Sequence, residues 1–227
     1  VVPCDDTVIK EDDWMKVWRT LAMVPLATLL LAGPAAAYQD ENDGSNPRVV
    51  SPEECVAEPR AADQIAGLLG LAGEGIAPPA LPTITAPLGQ NLSSDESIPI
   101  KEAAREILAC FNAGDIGRAS ALMTDNGVIR TYWQLTETPE LRGTAQERIG
   151  TATPRPELAQ IRLVTVTDIS VLPDGRAIAF VVINDPAAPQ PGPETLLFYF
   201  KDQDGTWLLD DWVDFSIAAV PASTPTP

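Results

Sequence analysis

Ile161 to Phe215 reads IRLVTVTDISVLPDGRAIAFVVINDPAAPQPGPETLLFYFKDQDGTWLLDDWVDF. Four runs rich in β-branched and aromatic residues, Ile161–Leu172, Arg176–Asn184, Glu194–Lys201 and Thr206–Phe215, are separated by turn residues. Pro173-Asp174-Gly175 and Asp202-Gln203-Asp204-Gly205 place an Asp-Gly step between strand-like runs, a strong hairpin signal. Alternation across the first turn predicts one face shared by Ile169, Val171, Ile178, Phe180 and Val182. Across the second turn it predicts a face of Leu196, Phe198, Phe200, Trp207, Leu209, Val213 and Phe215. The stretch reads as an antiparallel meander with one apolar face.

Upstream the period changes to that of a helix. Ile100, Ala103, Ala104, Ile107, Leu108 and Phe111 recur at helical spacing, with Lys101, Glu102, Arg105 and Glu106 opposite. The spacing predicts a helix from about Ile98, with Pro99 in its first turn and Gly114 just past its end. Asp115 caps a second helix carrying Ala119, Leu122 and Met123, and Thr138–Ile149 reads as a third. Helices followed by antiparallel strands make an α+β domain over residues 98–217.

Ahead of this domain, residues 38–97 read as an extended Pro/Gly-rich arm, with a short helix at 63–71 capped by Asp63. Residues 218–227 read as a disordered tail. Met15-Lys16-Val17-Trp18-Arg19, an apolar run from Thr20 to Gly33, and Ala35-Ala36-Ala37 have the order of a cleaved signal peptide. That run is shorter than the ~20 apolar residues a spanning helix needs. The expected mature chain therefore has no membrane span and is secreted or extracytoplasmic. Residues 1–14, with five acidic side chains, fit badly before such a signal and read as a mis-assigned upstream extension.

The 227-residue chain carries 15 basic and 32 acidic residues, a net charge of −17. Three of the basic and five of the acidic residues precede Tyr38, so the remainder still carries −15. Nucleic acid and anionic lipid are excluded as partners, because their phosphates would be repelled. There is no histidine, which excludes Ser-His-Asp, Cys-His and His-ligated zinc chemistry. Beyond the leader two cysteines remain, Cys55 and Cys110, and in an exported protein an even pair predicts a disulfide.

The order helix, Cys110-Phe111-Asn112-Ala113-Gly114-Asp115, short helix, Met123-Thr124-Asp125, and hairpins ending in Gly205-Thr206-Trp207-Leu208-Leu209-Asp210-Asp211 resembles a nuclear transport factor 2-like domain of the SnoaL-like kind. The resemblance covers about residues 98–217 and rests most on the Asn-x-Gly-Asp helix ending and the final-strand tryptophan. It implies a curved sheet wrapped around helices into a cone with an internal pocket. That architecture serves enzymes, ligand binders and interaction modules alike, so it carries no function by itself. Dehydratase members rely on a histidine, which is absent here. Isomerase-like members use a carboxylate base facing a tyrosine or protonated acid, and no such motif aligns.

The pocket implied by the resemblance would draw its walls from Phe111, Tyr132, Trp133, Phe180, Phe198 and Trp207. Phe180, Phe198 and Trp207 fit plain core roles as well, since aromatic residues fill such cones. Strict alternation puts Asp211 on the apolar face between Leu209 and Val213, where desolvation would raise its pKa toward that of a general base. A bulge at Asp210-Asp211 would turn both to solvent instead. Tyr132, Trp133 and Tyr199 are the candidate phenol donors or stacking walls.

Asp202-Gln203-Asp204-Gly205 lacks the later bidentate glutamate of a calcium loop and reads as a turn; no metal ligand set is assigned. Gly67, Gly70, Gly73 and Gly75 lack the Gly-Lys-Ser/Thr of a phosphate loop. Asn91-Leu92-Ser93 is a glycosylation sequon. No cofactor is implied. The expectations are a non-catalytic pocket protein for a small apolar ligand or a dimerising module, the rival being a cofactor-free isomerase or cyclase with Asp211 as base.

Overall fold

The structure, a computed structural model, describes residues 47–80, 89–188 and 192–215, all within one compact unit, Asn42–Pro227. The expected upstream extension, signal peptide and carboxyl-terminal tail lie outside the described residues. The domain is α+β. Five α-helices among the described residues pack against a curved antiparallel sheet of six strands.

The strands are β1 (Arg48–Val49), β2 (Gln90–Asn91), β3 (Arg162–Val171), β4 (Ala177–Asn184), β5 (Pro193–Gln203) and β6 (Thr206–Asp214). The order runs β1-β3-β4-β5-β6, and β2 also pairs with β3. The meander of four long strands is as the sequence predicts. The helices are α1 (Ala62–Leu68), α2 (Ser94–Ala113), α3 (Ile116–Ala121), α4 (Asp125–Tyr132) and α5 (Pro139–Ile149).

Helix α2 starts earlier than expected. Ser93 and Glu96 form a reciprocal capping box, which satisfies two otherwise orphan donors. Pro99 is therefore inside the helix, and the carbonyl it leaves without a donor belongs to exposed Asp95, where water can serve it. The predicted stripe is the buried one: Ile100, Ala104, Ile107 and Leu108 are enclosed, with Ala103 and Phe111 packed beside them. Gly114 ends the helix at φ +61°, and a Cβ there would stand 1.9 Å from the Thr153 carbonyl oxygen. Asp115 caps α3 and Thr138 caps α5. In α1 the cap position is Ala61, and Asp63 lies in the first turn rather than at the cap. Helix α4, not anticipated from sequence, is capped by the Thr124 hydroxyl.

The segment before α2 is built into the core. Val50, Cys55, Ile65, Leu69 and Leu71 belong to the main buried cluster. The expected Cys55–Cys110 disulfide is present and ties this segment to α2. Asn112, fully buried, donates to the carbonyls of Val50 (2.8 Å) and Ile161 (3.0 Å) and accepts from the Ile161 amide (2.7 Å). One side chain thus joins the end of α2 to the residues flanking β1 and β3.

The sheet has two apolar faces, and turn length decides which residues occupy each. The first hairpin closes on a three-residue turn, Pro173–Gly175, with the Leu172 amide bonded to the Arg176 carbonyl at 2.8 Å and Gly175 at φ +86°. An odd loop pairs odd with odd, so Val171 lies opposite Ala177. Ile169 and Val171 therefore face the helices with Ala177, Ala179, Val181 and Ile183, while Ile178, Phe180 and Val182 face outward, contrary to the expected assignment. The second hairpin has a two-residue turn, Asp204-Gly205, both at positive φ. Phe200 then pairs with Leu209 and Trp207 with Asp202, which keeps Phe200, Trp207 and Leu209 on one face as predicted.

Beyond Leu209 the phase slips. Tyr199 pairs with Asp211 while Phe200 pairs with Leu209, which leaves Asp210 as the extra residue of a β-bulge. Trp212 consequently joins the inner face beside Phe198, and Val213 and Phe215 pass to the outer cluster with Leu172, Ile178, Leu197, Tyr199 and Phe180. A second register shift lies between Thr167 and Ser170, where Asp168 has φ +51°. The 122–124 linker covers the edge of β6: Leu209 N–H donates to the Leu122 carbonyl, and Thr124 N–H to the Leu209 carbonyl.

Candidate functional site

Helix α2 does not fill all the space above the inner face. A cavity of about 310 Å³ remains between Leu108 and Phe111 of α2 and Ile183, Leu196, Phe198, Leu209 and Trp212 of the sheet. Each sheet residue reaches it because of the register just described, and Trp212 because of the bulge. Thr131 of α4 contributes to the wall, and Arg155 and Asp185 stand at its polar margin. Their ion pair is bidentate, both contacts being 3.0 Å, and is mostly buried on each side. Arg155 also donates to the Ala159 carbonyl. The pair is thereby fixed in orientation.

The polar margin coincides with one end of the sheet, where β3 starts, β4 ends, β5 starts and β6 ends. There Ile183 pairs with Glu194, and Leu196 pairs with Asp214. The Glu194 carboxyl is held above its ordinary pKa, first by burial and then by the negative charges of Asp214 and Asp185.

A second cavity, about 200 Å³, shares Phe111 and Thr131 with the first and is lined further by Ile116, Tyr132, Leu135 and Arg148. Burial pushes the Tyr132 phenol well above its ordinary pKa; Arg148 acts against this and Asp115 with it. Tyr132 stays a neutral phenol. Among the described residues the buried Thr131 Oγ1 has no hydrogen-bond partner.

The sequence-derived candidates divide between the two faces. Phe111 and Phe198 line the larger cavity, and Phe111 and Tyr132 the smaller. Trp133 opens the 3-10 turn after α4, and Trp207 packs on the core near the second hairpin; neither lines these cavities. Phe180 points to the outer face, where its ring meets Phe215 edge-on at 5.4 Å. It cannot wall the inner cavity. Tyr199 is also on the outer face, with the Arg176 guanidinium 5.2 Å from its ring centre.

Asp211 pairs with outer-face Tyr199 and so leaves the face expected for it beside Leu209, and its carboxylate lies 2.9 Å from Arg130 Nε. It also accepts from the Trp212 amide at 2.8 Å. Neighbouring Asp210 accepts from the Thr124 hydroxyl (2.7 Å), and its carbonyl accepts from Asn126. Both carboxylates clamp the bulge to α4, and Asp211 is not part of either cavity wall.

Sequence reading missed Trp212 and the Arg155–Asp185 pair. Trp212 was hidden by the slip at Asp210; a doubled acid inside an otherwise alternating strand was its available signal. Nothing local to Arg155 or Asp185 announces that they meet. Asp202 Oδ1 accepts from the Gly205 amide, as in an ordinary hairpin turn. Among the described residues no group of His, Cys, Asp and Glu is arranged to hold a metal ion, and no helix is long and apolar enough to cross a membrane. Set against known proteins, the chain matches no family model, no curated protein and no solved structure.

Proposed function

We propose that this chain is an exported, SnoaL-like domain of the nuclear transport factor 2-like kind, and that it binds a small apolar molecule between α2 and the concave face of its sheet. The carrying observation is the apolar cavity of about 310 Å³ with an oriented ion pair at its margin. Pockets of this build, mostly apolar with few fixed polar groups, are the ordinary form of a small-molecule site. Helices enclosed by a curved meander support the cone, and the Cys55–Cys110 bridge supports an oxidising compartment after removal of the leader.

Catalysis by Asp211 draws no support from this geometry, because its carboxylate is committed to Arg130 away from the cavity. Thermal shift with small apolar alcohols and arenes tests the reading. A ligand at 100 times its Kd raises stability by about 2.7 kcal/mol. Leu196→Phe, which fills the cavity, should abolish that shift while the unliganded protein stays folded. The reading fails if no compound shifts the native protein, or if the filled variant responds equally.

A further inference from the structure

The larger cavity combines aromatic walls with an acidic margin, and each feature bears separately on what it holds. Phe111, Phe198 and Trp212 all line the cavity. Aromatic walls are sequence-independent greasy surface, but they also attract cations through the ring quadrupole. At the margin, Asp185 lines the cavity, and the register sets Glu194 opposite lining Ile183 and Asp214 opposite lining Leu196. Only Arg155 brings positive charge to the lining, and it is engaged by Asp185 through both guanidinium contacts. Burial first, and then the negative charges of Asp214 and Asp185, hold the Glu194 proton more tightly than usual.

We infer that the ligand is an organic cation: an apolar body lodged among Phe111, Phe198 and Trp212, with an ammonium group at the margin facing Glu194 and Asp214. This rests on the pocket reading above and adds the head group to it. The cavity supplies the site; the carboxylates choose the charge. Carboxylate ligands are disfavoured by the same arrangement. A neutral molecule of the same shape gains the apolar contacts only.

Calorimetric titration of the purified chain at pH 7 and low salt, with hexylammonium, hexan-1-ol and hexanoate, separates the two readings. The expected order is ammonium, then alcohol, then carboxylate, with hexylammonium about tenfold tighter than hexan-1-ol. Glu194→Gln and Asp214→Asn should together bring hexylammonium to within about twofold of the alcohol, whose own affinity should not move. Hexan-1-ol binding as tightly as hexylammonium would overturn the head-group inference and leave the pocket standing. A preference for ammonium that survives both substitutions would also overturn it, since the charge of −17 would then act without the margin. If none of the three compounds binds, the pocket reading falls and the inference with it.

Discussion

The two faces of the sheet are both apolar, yet they are held in different ways. Helix α2, which covers the inner face, is tied to the segment before it by a disulfide and to the residues flanking β1 and β3 by Asn112, and unfilled space still remains beneath it. The outer cluster is smaller, and Phe180 and Phe215 in it are half-buried. An interior normally closes on itself to crystal-like density. A cavity that persists where the scaffold is most strongly tied is a feature that packing alone does not favour. The bulge at Asp210 separates these two environments, sending Trp212 inward and Val213 outward.

Removing the disulfide tie should have the largest effect. The Cys55→Ala, Cys110→Ala double variant loses a cross-link closing a 55-residue separation, and about 4 kcal/mol in the chain-entropy model. Chemical denaturation with and without reductant measures it. A loss below about 1 kcal/mol would mean that the 48–60 segment is held equally well by other contacts.

Phe198→Ala and Phe180→Ala compare the faces directly. The inner substitution should cost about 4 kcal/mol and the half-buried outer one about half as much. Equal costs would erase the distinction between the faces. Asn112→Ala removes three buried hydrogen bonds and strands the Ile161 amide and two carbonyls, so about 3 kcal/mol is expected. The same unfolding curves report it.

Asp211→Asn should cost about 1.5 kcal/mol, because Arg130 loses the charge of its partner. Ligand affinity should be unchanged. A loss of binding or turnover, with stability intact, would place Asp211 in the site after all.

The smallest effect is electrostatic. Glu194 has a folded-state pKa above the ordinary 4.5, chiefly through burial, then Asp214 and Asp185. A raised carboxyl stabilises the fold only while protonated, so its contribution is complete below pH 4.5 and lost as pH rises through the folded value. Glu194→Gln should therefore be more stable than the native chain at pH 7 and not at pH 4. Solvent screening keeps the gain under about 1 kcal/mol. Melting curves at the two pH values check the sign.

Much of this architecture was readable from local pattern. The stripe of α2, the cap at Asp115, the helix near 138–149, the four long strands and the turn within Asp202–Gly205 all follow from spacing and turn chemistry. Face assignment was not, because alternation is only as good as its phase. A third turn residue at Pro173–Gly175 moved Phe180 out, and one extra residue at Asp210 moved Trp212 in. Of the expected pocket wall Phe180 was lost in this way, and Trp212 was gained. Helix α4 was masked by Asn126-Gly127, which reads as a turn; in the fold Gly127 is required because a Cβ would stand 2.1 Å from the Leu209 carbonyl. The Arg155–Asp185 pair joins residues 30 apart in sequence, and no local signal can announce such a meeting.

Methyl- and indole-resolved NMR during a titration with hexan-1-ol probes the inner cavity most directly. Saturable shifts are predicted for Leu108, Ile183, Leu196 and the Trp212 indole, with Val213, Ile178 and Leu197 on the outer face unmoved. Shifts confined to the outer cluster, or none on either face, would contradict a ligand site between α2 and the sheet.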